Sequence, residues 1–466
     1  MVKKGVKDEC VMAIVPVLSE RDEAPGIEGG IDPLGMAAIA DRLGTKLVPG
    51  VRERQLHPRF LTAIAVSLAV CEDFELDTVA KDGVSEPWQV FEWYLVEGLV
   101  RTSRSARNEP SPSGSSTSNV TRDEAPTARG VPGSLKARQA LDDNVPLSAK
   151  RYLRTPTVFG FHGVYRLLAR TLRIENKDTG GLGEAGEELL WVWSKERGLT
   201  GFIGTAEGPG KVLRRDLRNA VADGLEKAGT TKGDGWPRWK FFREHLDLYD
   251  AGPVEADFIN HLLLDDLEGY RREVLEFLIS ADGRKAFEVD RSERTFHAAL
   301  RPRASDELAP LLDAIERYEL FSRRCQNAFD DCLVEMTRTR GKTSLTQLGL
   351  LPSVQRASRE VPDLFEQSLA RLEPAESTRL SHFCERLAAR CSATEWAGGL
   401  LQHHCDTQRR KPPEGRQPWI VLLEGGHWRI RTRYQREEPA AQDDHYVHAY
   451  RTNSLWNFAR DLKVLP

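Results

Sequence analysis

From residue 36 onward the apolar positions of the chain mostly recur three or four apart, the spacing of helices that bury one face. Segments 36–43, 58–74 and 87–101 show it, with Phe60, Leu61, Ile64, Leu68 and Cys71 along one side, and Gly44, Pro49-Gly50 and Asp82-Gly83 punctuate them. The period returns at 157–173, 184–197, 209–227 and 236–249, between glycine-rich turns. Residues 252–411, rich in Ala, Leu, Glu and Arg, are nearly all predicted helix, with breaks at Gly283, Pro302, Gly341, Pro352 and Pro374. A short helix at 453–462 closes the chain.

One segment changes period. Residues 419–434 read WIVLLE-GG-HWRIRTRY, two β-rich runs around Gly425-Gly426, which predicts a hairpin with a two-residue turn. In that register Leu423 faces Trp428, Val421 faces Ile430 and Trp419 faces Thr432, so one surface is apolar. The other surface then holds Glu424, His427, Arg429, Arg431 and Arg433, with Ile420 and Leu422 among them. The predicted fold is mainly α and multi-helical, with this small C-terminal β-hairpin. Successive helices and tight turns between 157 and 227 suit a helix-turn-helix or winged-helix-like central module.

Residues 102–135 lack any such period. They are Ser, Thr, Pro, Gly and Arg with almost no large apolar side chain, a composition that does not offset the entropy of ordering, and they read as a disordered tether. The expected division is a helical N-terminal domain at 1–101, the tether, a central module at 136–250, a helical domain at 251–411 and the hairpin with its closing helix at 412–466. No repeat of fixed period argues for a solenoid.

Composition narrows the partners. A chain of 466 residues with 29% charged side chains and a net charge of -4 has no global basic field, so a polyanion site must be local. Seven cysteines, odd in number and sparse, fit reduced thiols in a cytoplasm. Asp8 and Glu9 interrupt the basic-then-apolar opening, against a signal peptide, and no apolar run approaches the roughly eighteen residues of a membrane span. A cytoplasmic protein without a membrane partner is expected.

Candidate chemistry is sparse. Gly181-Leu182-Gly183-Glu184-Ala185-Gly186 matches a dinucleotide fingerprint, but helical sequence precedes it where that site needs a strand. Gly341-Lys342-Thr343 resembles the tail of a phosphate loop, with Met336 where the first glycine belongs. Cys384, Cys391, His403, His404 and Cys405 are soft ligands at spacings unlike those of zinc sites, and Cys325 and Cys332 share one helix face as small hydrophobes do. His162, and His445 and His448 beside Asp443 and Asp444, invite acid–base chemistry without a companion nucleophile. Asp330-Asp331 and Asp265-Asp266 read as solvent-facing carboxylates. No metal or cofactor is expected.

Basic clusters carry more. Arg409, Arg410 and Lys411 end a helix, Arg416 follows, and Arg429, Arg431 and Arg433 alternate along the second hairpin run. A second patch, Lys211, Arg214, Arg215 and Arg218, has helical spacing. Beyond it Lys232, Arg238, Lys240 and Arg243 interleave with Trp236, Trp239, Phe241 and Phe242, a composition of phosphate-tracking or base-stacking surfaces. Against this stands an ordinary solvated face, diluted by Asp216, Glu226 and Glu244.

Gly30-Ile31-Asp32-Pro33-Leu34-Gly35-Met36, Leu47-Val48-Pro49-Gly50, Arg59-Phe60, TPTVFGFHGVYR, KPPEGRQPWIVLLEGGHWRIRTRY and HAYR are similar to blocks of an uncharacterised bacterial protein family associated with anti-phage defence islands. The resemblance covers about a third of the chain and contains no catalytic motif. It implies an accessory or sensor role in defence against foreign DNA, within a multi-protein system. The expected function is binding of nucleic acid, DNA rather than RNA, or of a partner protein, through local basic surfaces. The rivals are a nuclease or nucleotide-dependent effector whose site assembles only in the fold, and a protein scaffold.

Overall fold

Helix α2 (Phe60–Cys71) is apolar all round its circumference, so it must be enclosed on every side. It follows α1 (Ala37–Leu47) and precedes α3 (Pro87–Asn108), α4 (Ser134–Asp142), α5 (Pro156–Phe159), α6 (Phe161–Thr171), α7 (Glu184–Glu196), α8 (Pro209–Lys227) and α9 (Trp239–Leu246). Helices α3, α6, α7 and α8 enclose it, and α9 packs on α3. The computed structural model describes residues 32–108, 130–265, 269–339, 342–411, 415–440 and 445–465.

The second half is arranged around a long helix. After α10 (Pro253–Leu264), α11 (Arg271–Ile279), α12 (Ala281–Glu288) and α13 (Glu293–Leu300) comes α14 (Leu308–Arg338), 31 residues long. α15 (Leu345–Gly349), α16 (Pro352–Arg371), α17 (Pro374–Cys384) and α18 (Ala393–Arg410) follow, and α14 lies along α16. Strands β1 (Ile420–Leu422) and β2 (Trp428–Ile430) form the hairpin, and α19 (Thr452–Asp461) returns to α11 and to the first half, where Phe458 stacks near Tyr165. Buried side chains from both halves form one connected core.

Differences from the sequence reading lie at three places. Helix α3 continues to Asn108 and α4 starts at Ser134 with Val131 already buried, so both ends of the stretch read as a tether belong to the helical framework; residues 109–129 lie outside those described. The segment 136–250 is built from α4 to α9 plus an isolated bridge, Glu175 with Leu182, and no strand pair forms a wing there among the described residues. The hairpin is shifted by one residue.

Ile420 faces Ile430, Val421 faces Arg429 and Leu422 faces Trp428. The turn contains Glu424, Gly425 and Gly426, not two glycines alone, and closes through the Gly426 N–H to the Leu423 carbonyl (3.2 Å) and the Leu423 N–H to the His427 carbonyl (2.8 Å). Gly425 and Gly426 both take positive φ (84° and 78°), which a side chain would strain. A one-residue slip reverses the faces of the first strand: Ile420 is buried with Trp428 and Ile430 and Val421 lies beside exposed Arg429, although Leu422, opposite Trp428 at the strand end, is 55% exposed. Trp419 is still buried, because it precedes β1 and stacks on Tyr434 at 4.8 Å. β2 also pairs on its other edge: Thr343 donates to the Trp428 carbonyl (3.3 Å) and accepts from its N–H (2.8 Å).

Two buried polar clusters join distant elements. Arg59, at the entry to α2, meets Glu255 of α10 through two 2.9 Å bonds, with Thr62 Oγ1 on the same carboxylate at 2.7 Å and the carbonyls of His245 and Asp247 completing the guanidinium's partners. The other cluster is the turn 32–36, which has no sheet or helix to satisfy its main chain. Asp32 caps α1 through the N–H groups of Met36 (3.0 Å) and Ala37 (2.9 Å). Lys411 Nζ donates to the Asp32 carbonyl (2.5 Å), His404 Nδ1 to Pro33 (2.8 Å), His403 Nε2 to Leu34 (2.8 Å) and the Tyr318 hydroxyl to Met36 (2.5 Å).

His404 also accepts the Trp419 N–H at Nε2 (3.0 Å), so a single imidazole ties the turn, α18 and the hairpin together. The bond requires the neutral ring, and burial pushes its pKa down to about 4 from an ordinary 6.5. The unfolded chain therefore binds the proton more readily: this stabilisation is complete above pH 6.5 and is lost as pH falls through about 4. The loss is on the order of 3 kcal/mol. His404→Gln, whose amide can donate to Pro33 and accept from Trp419 without titrating, should show a shallower fall in Tm between pH 7 and pH 5 than the parent chain, read by thermal melts. Equal slopes would remove His404 from the acid limb.

Candidate nucleic-acid interface

The hairpin presents its second strand edge-to-edge with the segment after α14. Antiparallel pairing of Thr343 with Trp428 puts Lys342 in register with Arg429 on the same side of the ribbon, and Val421 flanks Arg429 on its other edge. Trp428 and Ile430 point into the core, so Arg429 points away from it. Lys342 and Arg429 are both exposed, and neither side chain makes a hydrogen bond or ion pair among the described residues. Like charges opposed across a ladder destabilise it unless an anion sits over them.

The end of α18 adds cations beside this ribbon. Arg409 and Arg410 lie in its last turn, where positive charge also complements the helix dipole. The chain then folds back, with the Gly415 N–H on the Lys411 carbonyl (2.7 Å) and the Arg416 N–H on the Gln408 carbonyl (2.9 Å). Burial raises the pKa of the Cys405 thiol on α18, and the positive charges of Arg409 and Arg431 oppose that rise. Arg410 and Arg416 have no side-chain partner among the described residues.

Other members of the predicted cluster are engaged. Lys411 is spent on the Asp32 carbonyl, and burial lowers its pKa. Arg409 contacts Asp406 at 3.4 Å, Arg431 donates to the Pro418 carbonyl at 2.8 Å, and Arg433 lies over the Tyr434 ring. Regular strand ends at Ile430 and a 3-10 turn covers Thr432–Tyr434, so the three arginines do not continue in one alternating row. Arg436, not singled out by the sequence, crosses to Asp330 on α14 at 2.6 Å. Asp331 accepts the Ala440 N–H at 2.9 Å, so this carboxylate pair anchors the chain after the hairpin.

The patch on α8 is neutralised locally. Lys211 pairs with Glu207, Arg214 with Glu72 and Arg218 with Asp73; Arg214 also donates to the Ala69 carbonyl (2.9 Å). Of its four cations Arg215 alone is exposed without a partner among the described residues. Arg238 pairs with Asp216 and Lys232 with Asp223. Trp239, Phe241 and Phe242 are buried in the core, so they offer no stacking surface.

Glycines 183 and 186 serve close packing: a Cβ would lie 2.2 Å from the Arg173 carbonyl oxygen and 2.4 Å from that of Ile174. The loop joins α6 to α7, without the strand a dinucleotide needs. His403 and His404 commit ring nitrogens to main chain, and Cys384 is buried while Cys391 is exposed. His162 is buried against Trp88, 3.4 Å from Glu175. Lys342 and Arg338, an exposed end of α14, were missed as companions of the hairpin, because only the pairing of residues 343 and 428 brings them there.

Comparison with family models, curated proteins and solved structures finds no match to this chain.

The opposed cations carry a cost in the free protein. Lys342→Glu converts the pair with Arg429 from like to unlike charge and should raise stability by about 0.2–1 kcal/mol. A denaturant midpoint that falls or stays unchanged would show that the two charges do not feel each other.

Proposed function

We propose that the protein binds nucleic acid through the face formed by Lys342, Arg429, Arg410 and Arg416, with Arg409, Arg431 and Arg433 at its margin, as an accessory or sensor component of a bacterial defence system against foreign DNA. The observation that carries the reading is the unpaired Lys342–Arg429 row beside the cationic end of α18, in a chain whose other clustered cations mostly have carboxylate partners. The defence setting rests on the blocks resembling that family. DNA is favoured over RNA on the same ground. A helix-turn-helix mode would present α8, where Arg215 remains available, and it ranks below the hairpin face for that reason.

Binding should weaken steeply with salt, each arginine or lysine on a phosphate adding about 0.9 to the slope of log K against log salt. Arg429→Glu combined with Lys342→Glu, or Arg410→Glu with Arg416→Glu, should abolish retention of labelled DNA in fluorescence anisotropy and leave the fold intact by circular dichroism. Lys211→Glu with Arg215→Glu should change affinity far less. No binding to DNA or RNA at low salt would sink the proposal.

A nuclease or related effector is the second reading, and His448 favours it. Glu319 Oε1 accepts from His448 Nδ1 (2.7 Å) and from the Tyr450 hydroxyl (2.8 Å), while Glu319 Oε2 accepts the Val447 N–H (2.5 Å). A carboxylate that fixes one ring nitrogen leaves Nε2 oriented, as in a general base. Nε2 has no hydrogen bond among the described residues, and the imidazole is 12% exposed. This reading expects nicking of supercoiled plasmid that His448→Gln removes; equal nicking by parent and variant, or none by either, rejects it.

A further inference from the structure

We infer that the cationic face grips the phosphate backbone of a double-stranded nucleic acid and does not stack on unpaired bases. The inference rests on the nucleic-acid reading above and concerns which form of nucleic acid the face takes. Single-strand sites combine cations with aromatic side chains on which successive bases lie, each base worth about 1–3 kcal/mol. Here the tryptophans next to the arginines are consumed internally, and half-buried Tyr434 gives one ring face to Trp419. Trp419 is buried between Tyr434 (4.8 Å, nearly parallel) and His404 (5.4 Å), with Phe329 at 6.0 Å. Trp428 is 6% exposed and faces the core with Ile430.

The large exposed aromatics among the described residues are Phe159, Trp191 and Tyr249, all of which precede α10 in the chain. What the hairpin face offers instead is charge at two fixed places: the ribbon row Lys342–Arg429, and Arg410 and Arg416 at the end of α18. The turn at its tip holds Glu424 and His427, both exposed. A carboxylate there repels phosphate, so the contact lies along the flank of the ribbon and not at its tip. Charge without stacking favours the polyanion of higher linear density, and a duplex carries one charge per about 1.7 Å of axis. Phosphate contacts also carry no base information, so recognition should be independent of sequence.

The test compares one duplex DNA, the same duplex with permuted sequence, and its separated strand of equal length, each titrated with the full chain across about 50–200 mM salt. The duplex should bind about tenfold more tightly than the strand and with the steeper salt slope. Permuting the sequence should change affinity by less than about fivefold, the smallest step that one read base pair makes. Lys342→Glu with Arg429→Glu should lose most duplex binding. Equal or tighter binding of the strand overturns the duplex inference and leaves nucleic-acid binding standing. Strong dependence on the permuted sequence overturns backbone-only recognition. Failure of every probe to bind overturns the parent reading itself, and full duplex binding by the doubly reversed variant moves the site off this face.

Discussion

A buried turn with no ladder of its own is the constraint on which the second half of this protein depends. The carbonyls of Asp32, Pro33, Leu34 and Met36 cannot be left without donors away from water, since each orphan would cost about 1–3 kcal/mol. His403, His404 and Gln408 of α18 supply donors, Lys411 just past its end supplies another, and Tyr318 of α14 a further one. Meeting that demand fixes the rotation of α18, because His403, His404 and Lys411 must face the turn together. His404 then passes the constraint on to Trp419, the residue that leads into β1. The position of the cationic ribbon is thus set by main-chain oxygens near the other end of the chain.

The same economy governs the charges. Where cations serve architecture they are matched: Arg59 with Glu255 inside the core, Arg436 with Asp330 beneath the hairpin exit, Arg214 and Arg218 with Glu72 and Asp73 between α8 and the loop after α2. Exposed pairs of this last kind contribute little to stability, and their effect is mainly to cancel local field. The row at Lys342 and Arg429 is built on the opposite plan. Neither cation has a carboxylate partner among the described residues, so the local field is left uncancelled.

The sequence exposed several helices well because their apolar spacing is strong: α7, α8 and α19 begin and end within one residue of the predicted spans. The hairpin was legible as an element but not in register. Trp419 to Leu423 is apolar at every position, so it has no alternation to say which face is inward, and the turn gained Glu424. The second run, with alternating Trp428, Arg429 and Ile430, placed its faces correctly. Contacts between residues far apart in sequence left no local trace, and so Thr343 looked like part of a phosphate loop although it is a rung of the ribbon. The aromatic–basic run at 236–243 misled for a related reason: composition alone does not distinguish a stacking surface from a core helix with a charged outer side.

The tie between Leu34 and His403 spans 369 positions. At elongation rates of about 5–20 residues per second, the oxygen acceptors of the turn wait roughly 20–75 s on the ribosome before their donors are made. The cationic ribbon comes later still. A nascent chain that has not yet reached Ile430 therefore cannot assemble this surface.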